Sequence, residues 1–274
     1  MRLIKYINET KINVSEPEEV IDILRKDCMP FITELKRTGF KDNFFYRGHG
    51  YAEGMITKKR IRDNRRPKDM GPETSDFLDW AFKKKFGWAA RSNGIFATSK
   101  PKDAMQYGEP FIFFPIGKYK YIWSPGVPDL YSEIDNNKLH LDNIDETSAE
   151  KYFDLEYAGE LEGHWEYDGV ELDTNSGKKL DAIEAVEDDM ELFGIEYRHQ
   201  IDHNMFEFIP DQTGEEFLQD FANSVENELK DLVSTYKNKD LKSALRIGNE
   251  ITFNCKEYYL VIQSLDKVLA HDFF

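Results

Sequence analysis

The stretch Arg91 to Pro125, RSNGIFATSKPKDAMQYGEPFIFFPIGKYKYIWSP, reads as strand, capped helix, strand. Ile95 and Phe96 form a short apolar run that stops at Ala97-Thr98-Ser99. Pro101 suits the first turn of a helix, where its missing N–H costs nothing. Ser99 or Lys100 is then the cap, and Ala104, Met105, Gln106 and Tyr107 make a single helical face that Gly108 ends. Phe111 to Ile116 is a β-rich apolar run broken at Gly117, and Tyr119 to Trp123 continues it. A strand that ends in small hydroxyl residues and runs straight into a short helix sets those hydroxyls at a sheet edge, facing a cleft.

Upstream, Ser15-Glu16-Pro17-Glu18 reads as a capping box, with Val20, Ile21 and Leu24 as the helical face behind it. Pro30 interrupts, and Phe31, Ile32 and Leu35 predict a second short helix closing at Gly39. Phe44 to Gly48 is the next strand. Arg47 stands inside its aromatic run, where a charge is costly to bury unless paired. It is either half of a structural salt bridge or a guanidinium held at a cleft, where its planar fork suits phosphate and ribose oxygens. His49 alternates to the same side as Arg47. Gly54 to Pro72 shows no clean period and reads as a loop. Its segment 58–68 holds seven Lys and Arg against Asp63 alone. Such a loop is either simply solvated or a guide for an anionic ligand or acceptor. Ser75 to Phe86 is an amphipathic helix whose Phe and Trp residues read as core, with Gly87 as its stop.

Downstream the pattern turns irregular between Asp135 and Pro210, with short β-like pieces at His164 to Tyr167, Val170 to Leu172 and Phe206 to Ile209. Leu180 to Phe193 suits an acidic helix. Residues 135–212 hold 23 Asp and Glu against 5 Lys and Arg, which accounts for the whole excess behind the chain's net charge of −16. That balance disfavours general affinity for nucleic acid or an anionic membrane. His199 and His203, at i and i+4, would share a helix face as zinc ligands do, but Gln200 stands where a metalloprotease needs its glutamate, and no third ligand is signalled. Thr213 opens the longest predicted helix, with Phe217, Phe221, Val225, Leu229, Leu232 and Tyr236 on one side. Ile251 to Phe253 and Tyr258 to Ile262 are then strand-like. Cys28 and Cys255 are too few for a disulfide framework, and no run approaches the ~18 apolar residues of a membrane span. These features predict a soluble cytoplasmic protein.

Three pieces in order carry a resemblance: Phe44-Phe45-Tyr46-Arg47-Gly48, then Ala97-Thr98-Ser99 with Ala104 and Tyr107 on the helix behind it, then Gly248-Asn249-Glu250-Ile251-Thr252-Phe253. Together they resemble the mono-ADP-ribosyltransferase superfamily, in which an aromatic-Arg-Gly strand, a Ser-Thr-Ser strand end and a late glutamate follow in that order. The match covers roughly residues 40–133 and 245–274. Ala97 takes the place of the first Ser. Gly248 stands where members that modify arginine or glutamine usually carry Glu or Gln, which leaves the acceptor type open.

The resemblance implies an α+β fold with a split two-sheet core, helices, and the cofactor in the cleft. The chain would divide into an N-terminal helical segment at 1–40, the first half of the core at 41–134, an acidic insertion at 135–212, and a helix with the second half of the core at 213–274. The insertion is either a solvated lobe or a module that docks a basic partner. The implied activity is transfer of ADP-ribose from NAD to a macromolecular acceptor, a protein first and a nucleic acid second, as in toxin and phage enzymes, with no metal. The implied catalytic residues are Glu250, Ser99 and Thr98. Arg47 would hold the pyrophosphate or the adenosine ribose, Gly48 would let the cofactor approach the backbone, and Tyr107 or Phe111 would wall the nicotinamide pocket or pack in the core. Glu257 and Glu109 are the rivals of Glu250. The alternatives are a non-catalytic binding module of the same fold and an NAD glycohydrolase.

Overall fold

A computed structural model describes residues 9–50, 54–61, 65, 70–142, 144, 163–167, 170–172, 207–210 and 214–274. The chain divides into two compact units, Met1–Leu139 with Glu228–Phe274, and His140–Asn227. The architecture is mixed α+β, with antiparallel sheets throughout the described residues.

In the larger unit the strands are β1 (Glu9–Lys11), β2 (Tyr46–His49), β3 (Ile56–Arg60), β4 (Ile95–Ala97), β5 (Glu109–Pro115) and β6 (Tyr119–Trp123). The smaller unit holds β7 (Gly163–Tyr167), β8 (Val170–Leu172) and β9 (Glu207–Pro210), with β7 in the middle. The chain returns with β10 (Ile251–Cys255) and β11 (Glu257–Ile262). One sheet runs β1-β3-β11-β5-β2, the other β4-β10-β6. The successive strands β10 and β11, with Lys256 alone between them, therefore supply the middle strand of each sheet. An isolated bridge links the two sheets, Tyr46 N–H to the Thr98 carbonyl at 2.6 Å and Thr98 N–H to the Tyr46 carbonyl at 2.9 Å.

The core lies between these sheets and the first two helices, α1 (Pro17–Asp27) and α2 (Met29–Thr38). Phe253 of β10 is fully buried, and its ring centroid lies 4.9 Å from Phe113 of β5, 6.1 Å from Tyr121 of β6 and 5.8 Å from Phe31 of α2. One side chain thus packs against both sheets and the helical layer. Truncating a phenylalanine so placed costs about 3–5 kcal/mol. The predicted face Val20, Ile21 and Leu24 is buried, but the reaching-back glutamate is Glu19 and not Glu18. Its Oε2 accepts from the Ser15 N–H at 2.8 Å and the Glu16 N–H at 3.5 Å.

Two expectations need correction. Gly54 to Pro72 is not all loop, because β3 lies between β1 and β11 with Ile56 and Thr57 buried. Two of its lysines have partners: Lys58 pairs with Glu257 at 2.8 Å, and Lys59 Nζ meets His49 Nε2 at 2.5 Å. The run 111–123 is also two strands of different sheets, since the chain turns at Gly117 and crosses from β5 to β6.

Helix α3 (Pro72–Phe86) buries Leu78, Ala81 and Phe82 as expected. Trp80, expected in the core, is 48% exposed with Lys84 over its ring. The turn α4 (Pro101–Ala104) and a 3-10 turn at Met105–Tyr107 follow β4, and α5 (Leu130–Asn136) follows β6. Helix α6 (Gly214–Ser234) buries Leu229 and Val233 in its last turns, and Tyr236 follows it, also buried. After it come α7 (Leu241–Ile247) and α8 (Asp266–Phe273). No helix among the described residues is long and apolar enough to cross a membrane. The predicted helix at 180–193, the pair His199 and His203, and Thr213 lie outside the described residues.

Candidate active site

The site is built where the two sheets meet. Arg47 extends from β2, and its Nη1 donates to the Phe96 carbonyl of β4 at 2.8 Å. A second hydrogen bond joins it to Tyr258 of β11. Burial draws the guanidinium below its ordinary value, while Tyr258 and the nearby Glu250 carboxylate oppose that shift. Arg47 is thus tied to structural partners and also stands within electrostatic reach of Glu250.

Glu250 stands immediately before β10, and the chain holds it from two sides. The left-handed Gly248 (φ +76°) ends α7 and turns the backbone toward β10. On one side Thr98 Oγ1 donates to the Gly248 carbonyl at 2.9 Å and Ser99 Oγ to the Leu245 carbonyl at 2.6 Å. On the other, the Glu250 N–H donates to the Pro128 carbonyl at 2.8 Å, and the buried Asn249 donates from Nδ2 to the carbonyls of Ser124 and Pro125 at 3.0 and 3.2 Å. Glu250 itself is half-buried, and its Oε1 is sealed from solvent. The two hydroxyls therefore brace the turn that presents the carboxylate. Ser99 is not a helix cap, because Lys100 holds that position and Ser99 points at α7.

The other expected residues fall out differently. The space a side chain would take at Gly48 is filled by the chain itself, with the Ala104 carbonyl 2.0 Å and Tyr107 Cβ 2.8 Å from a Cβ built there. The glycine serves the packing of β2 on the 3-10 turn and leaves no backbone gap for a cofactor. Phe111 is buried in the core, its ring 6.3 Å from His49. Tyr107 is 67% exposed, so it is not packing in the core. Glu257 is engaged with Lys58 beyond the far end of β10, and Glu109 is an exposed residue opposite His49.

Sequence reasoning passed over Asn249, Tyr258, Tyr236 and Arg91. Tyr236 is buried, and burial first and Glu250 second push its hydroxyl well above the usual range, with Arg91 opposing. Arg91 is 1% exposed and lies over the Phe96 ring, its Cζ 4.7 Å from the centroid. Its position at the head of the decisive stretch was visible; its burial was not. A separate cavity of about 130 Å³ lies at the other end of β10, lined by Arg60, Ile61, Asn93, Asn254, Cys255 and Lys256, and holds none of the expected site residues. No cluster of three or more His, Cys, Asp or Glu residues among the described residues could hold a metal ion.

Compared with known proteins, the chain matches no family model, and neither a curated protein nor a solved structure shows significant similarity to it.

Proposed function

We propose that the protein is an NAD-dependent mono-ADP-ribosyltransferase built on a split two-sheet core of the kind that superfamily uses. One observation carries the reading. Arg47, Thr98 with Ser99, and Glu250 lie about 50 and 150 residues apart in sequence, yet they meet through the Arg47–Phe96 contact and the two hydroxyl bonds to the α7 turn. A structural role alone would account for each bond singly. It gives no reason for an arginine and a Thr-Ser pair, in the superfamily's order, to converge on the turn that carries one carboxylate.

In this reading Arg47 binds phosphate oxygens of NAD through N–H groups beyond those spent on Phe96 and Tyr258; a guanidinium has five. Glu250 stabilises the positive charge that develops at ribose C1′ as the bond to nicotinamide breaks, the same demand a glycosidase carboxylate meets. Nicotinamide leaves with the bonding electron pair, and a nucleophile of the acceptor, losing its proton, closes the new bond to C1′. Thr98 and Ser99 act through position by fixing the turn that carries Glu250. The acceptor is a protein. Both cysteines are buried free thiols with burial pushing them away from ionisation, which suits a reducing cytoplasm.

Incubating the protein with labelled NAD and a cell lysate tests the reading. Transfer of label to a protein band, lost in Glu250→Ala, is the expected result. Label on nucleic acid changes the acceptor class. Nicotinamide release without labelled product points to a glycohydrolase, and NAD binding without either points to a non-catalytic module. No binding and no release overturns the proposal.

A further inference from the structure

The three cations of β3 end differently. Lys58 pairs with Glu257 and Lys59 meets His49, but Arg60, the last residue of the strand, forms no ion pair among the described residues. Its register partner on β11 is Glu257, which lies on the same face of the sheet and closes on Lys58 instead. Arg60 lines the cavity of about 130 Å³ at the far end of β10. Lys256 lines it too, and its ammonium likewise has no ion-pair partner among the described residues. Two cations thus border one cavity in a chain of net charge −16, and no carboxylate is among the lining residues.

The backbone holds this arrangement in place. The Ile61 N–H donates to the Lys256 carbonyl at 3.3 Å, which fixes the end of β3 against the single residue between β10 and β11. On the other wall Asn254 Nδ2 donates to the Asn93 carbonyl at 2.8 Å. Cys255 adds a thiol that burial pushes up to about 12, so it brings no negative charge. Like charges brought to one cavity repel each other, and an anion between them removes that cost. A water molecule takes about 30 Å³ of the liquid, so the volume matches a tetrahedral oxyanion such as phosphate and falls short of a dinucleotide. A strand rises about 3.3 Å per residue, so the length of β10 sets the cavity roughly 15 Å from Glu250.

We infer that this cavity is a phosphate-binding site in which Arg60 and Lys256 hold the oxygens of one phosphate group, free or carried by a small ester. Arg60 offers a planar fork and Lys256 a point charge. The inference does not rest on the proposed activity, because the site shares no residue with the one around Arg47 and Glu250. Arg60 belongs to the five-stranded sheet and Asn254 to the three-stranded one, with Lys256 between β10 and β11. An anion held here braces the point where the chain leaves one sheet for the other.

Titration calorimetry on the full chain at constant ionic strength, with inorganic phosphate and with glycerol 3-phosphate, tests this. The parent should bind phosphate saturably. Arg60→Gln and Lys256→Gln should each weaken that binding about 10-fold. Both side chains are exposed, so these variants should keep the parental circular dichroism. Arg60→Lys, which keeps the charge but loses the fork, should recover only part. Glu257→Gln removes the carboxylate opposite Arg60 and should tighten binding about 2- to 5-fold. Equal affinity for the two ligands assigns the site to the phosphate group of an ester, and binding of phosphate alone assigns it to the free anion. A parent without saturable binding of either ligand overturns the inference, and so does parental affinity in both Arg60→Gln and Lys256→Gln. Binding lost in Arg47→Ala and kept in Arg60→Gln overturns it as well, by moving the phosphate to the candidate active site.

Discussion

Arg47 of the five-stranded sheet donates its Nη1 hydrogen to the Phe96 carbonyl of the three-stranded sheet at 2.8 Å, one residue along from the backbone bridge between Tyr46 and Thr98. The same side chain is thus a staple between sheets and the leading candidate for a phosphate grip. Arg47→Ala should lower stability by about 1.5–3 kcal/mol in urea titrations, the worth of a hydrogen bond from a charged group. It should weaken NAD binding about 10- to 150-fold. Arg47→Lys should restore neither fully, because the fork is lost. Parental NAD affinity in both variants would leave Arg47 with the staple role alone.

Glu250 and Glu257 can be separated in one nicotinamide-release assay. Glu250→Gln keeps size and removes charge, so NAD affinity should hold while turnover falls roughly 10²–10³-fold. Glu257→Gln should lose only the Lys58 pair, a half-exposed contact at 2.8 Å, and stay within about twofold of the parent. The reverse ranking would move the chemistry to the other end of β10.

Thr98→Val and Ser99→Ala remove the donors to the Gly248 and Leu245 carbonyls. Each should cost about 1 kcal/mol of stability. Since the hydroxyls fix the turn before Glu250, turnover should fall about 10- to 100-fold with NAD affinity changed less than about threefold. A rise in KM with parental kcat would instead mean that the hydroxyls touch substrate.

Gly48→Ala sets a methyl 2.0 Å from the Ala104 carbonyl, and the clash is with backbone. Overpacking of this kind costs about 1–3 kcal/mol or more. Gly50→Ala, with nothing within 4 Å, is the control and should be neutral or slightly stabilising. Equal thermal midpoints for the two variants would contradict the packing of β2 on the 3-10 turn.

Alkali should unfold the larger unit. Burial first, and then Asp266, push Tyr46 up from 10.0 to about 12, and burial pushes Cys255 up from 9.0 to about 12. Tyr119, Tyr121 and Tyr259 are raised further, by burial and by Glu34 or Asp27, which accept their hydroxyl hydrogens. A group whose folded pKa is raised favours the fold fully below its unfolded value and loses that contribution as pH climbs to the folded one. Urea midpoints followed by near-ultraviolet circular dichroism should stay flat to about pH 9 and fall steadily from there to about 12. Tyr46→Phe should make the fall shallower between about pH 10 and 12. An unchanged slope would place the Tyr46 hydroxyl in water.

The strand–turn–helix at 95–107 and the two strands within 251–262 were legible because they are short apolar runs bounded by polar or turn-forming residues. β3 was not, since three of its residues are Lys or Arg and its partner strand β11, which carries the Lys58 partner Glu257, stands far along the chain. The break at Gly117 was visible, but not that the two strands beside it join different sheets, which is a matter of tertiary pairing alone. At the site, residue types led to Arg47, Thr98, Ser99 and Glu250. The supports Asn249, Tyr258, Tyr236 and Arg91 escaped because a side chain's partner more than a hundred residues away leaves no local pattern.

Because two strands joined by a single residue supply the middle strand of both sheets, assembly has a fixed timetable. Until residues 251–262 leave the ribosome, β4 and β6 have no strand between them and β3 and β5 stand with open edges. Every one of these pairings closes a loop of well over a hundred residues, so the nascent chain waits longest for the contacts it needs most. A cell making this protein carries β4 and β6 without a sheet, and the pairs β1–β3 and β2–β5 with one open edge each, until residues 251–262 emerge.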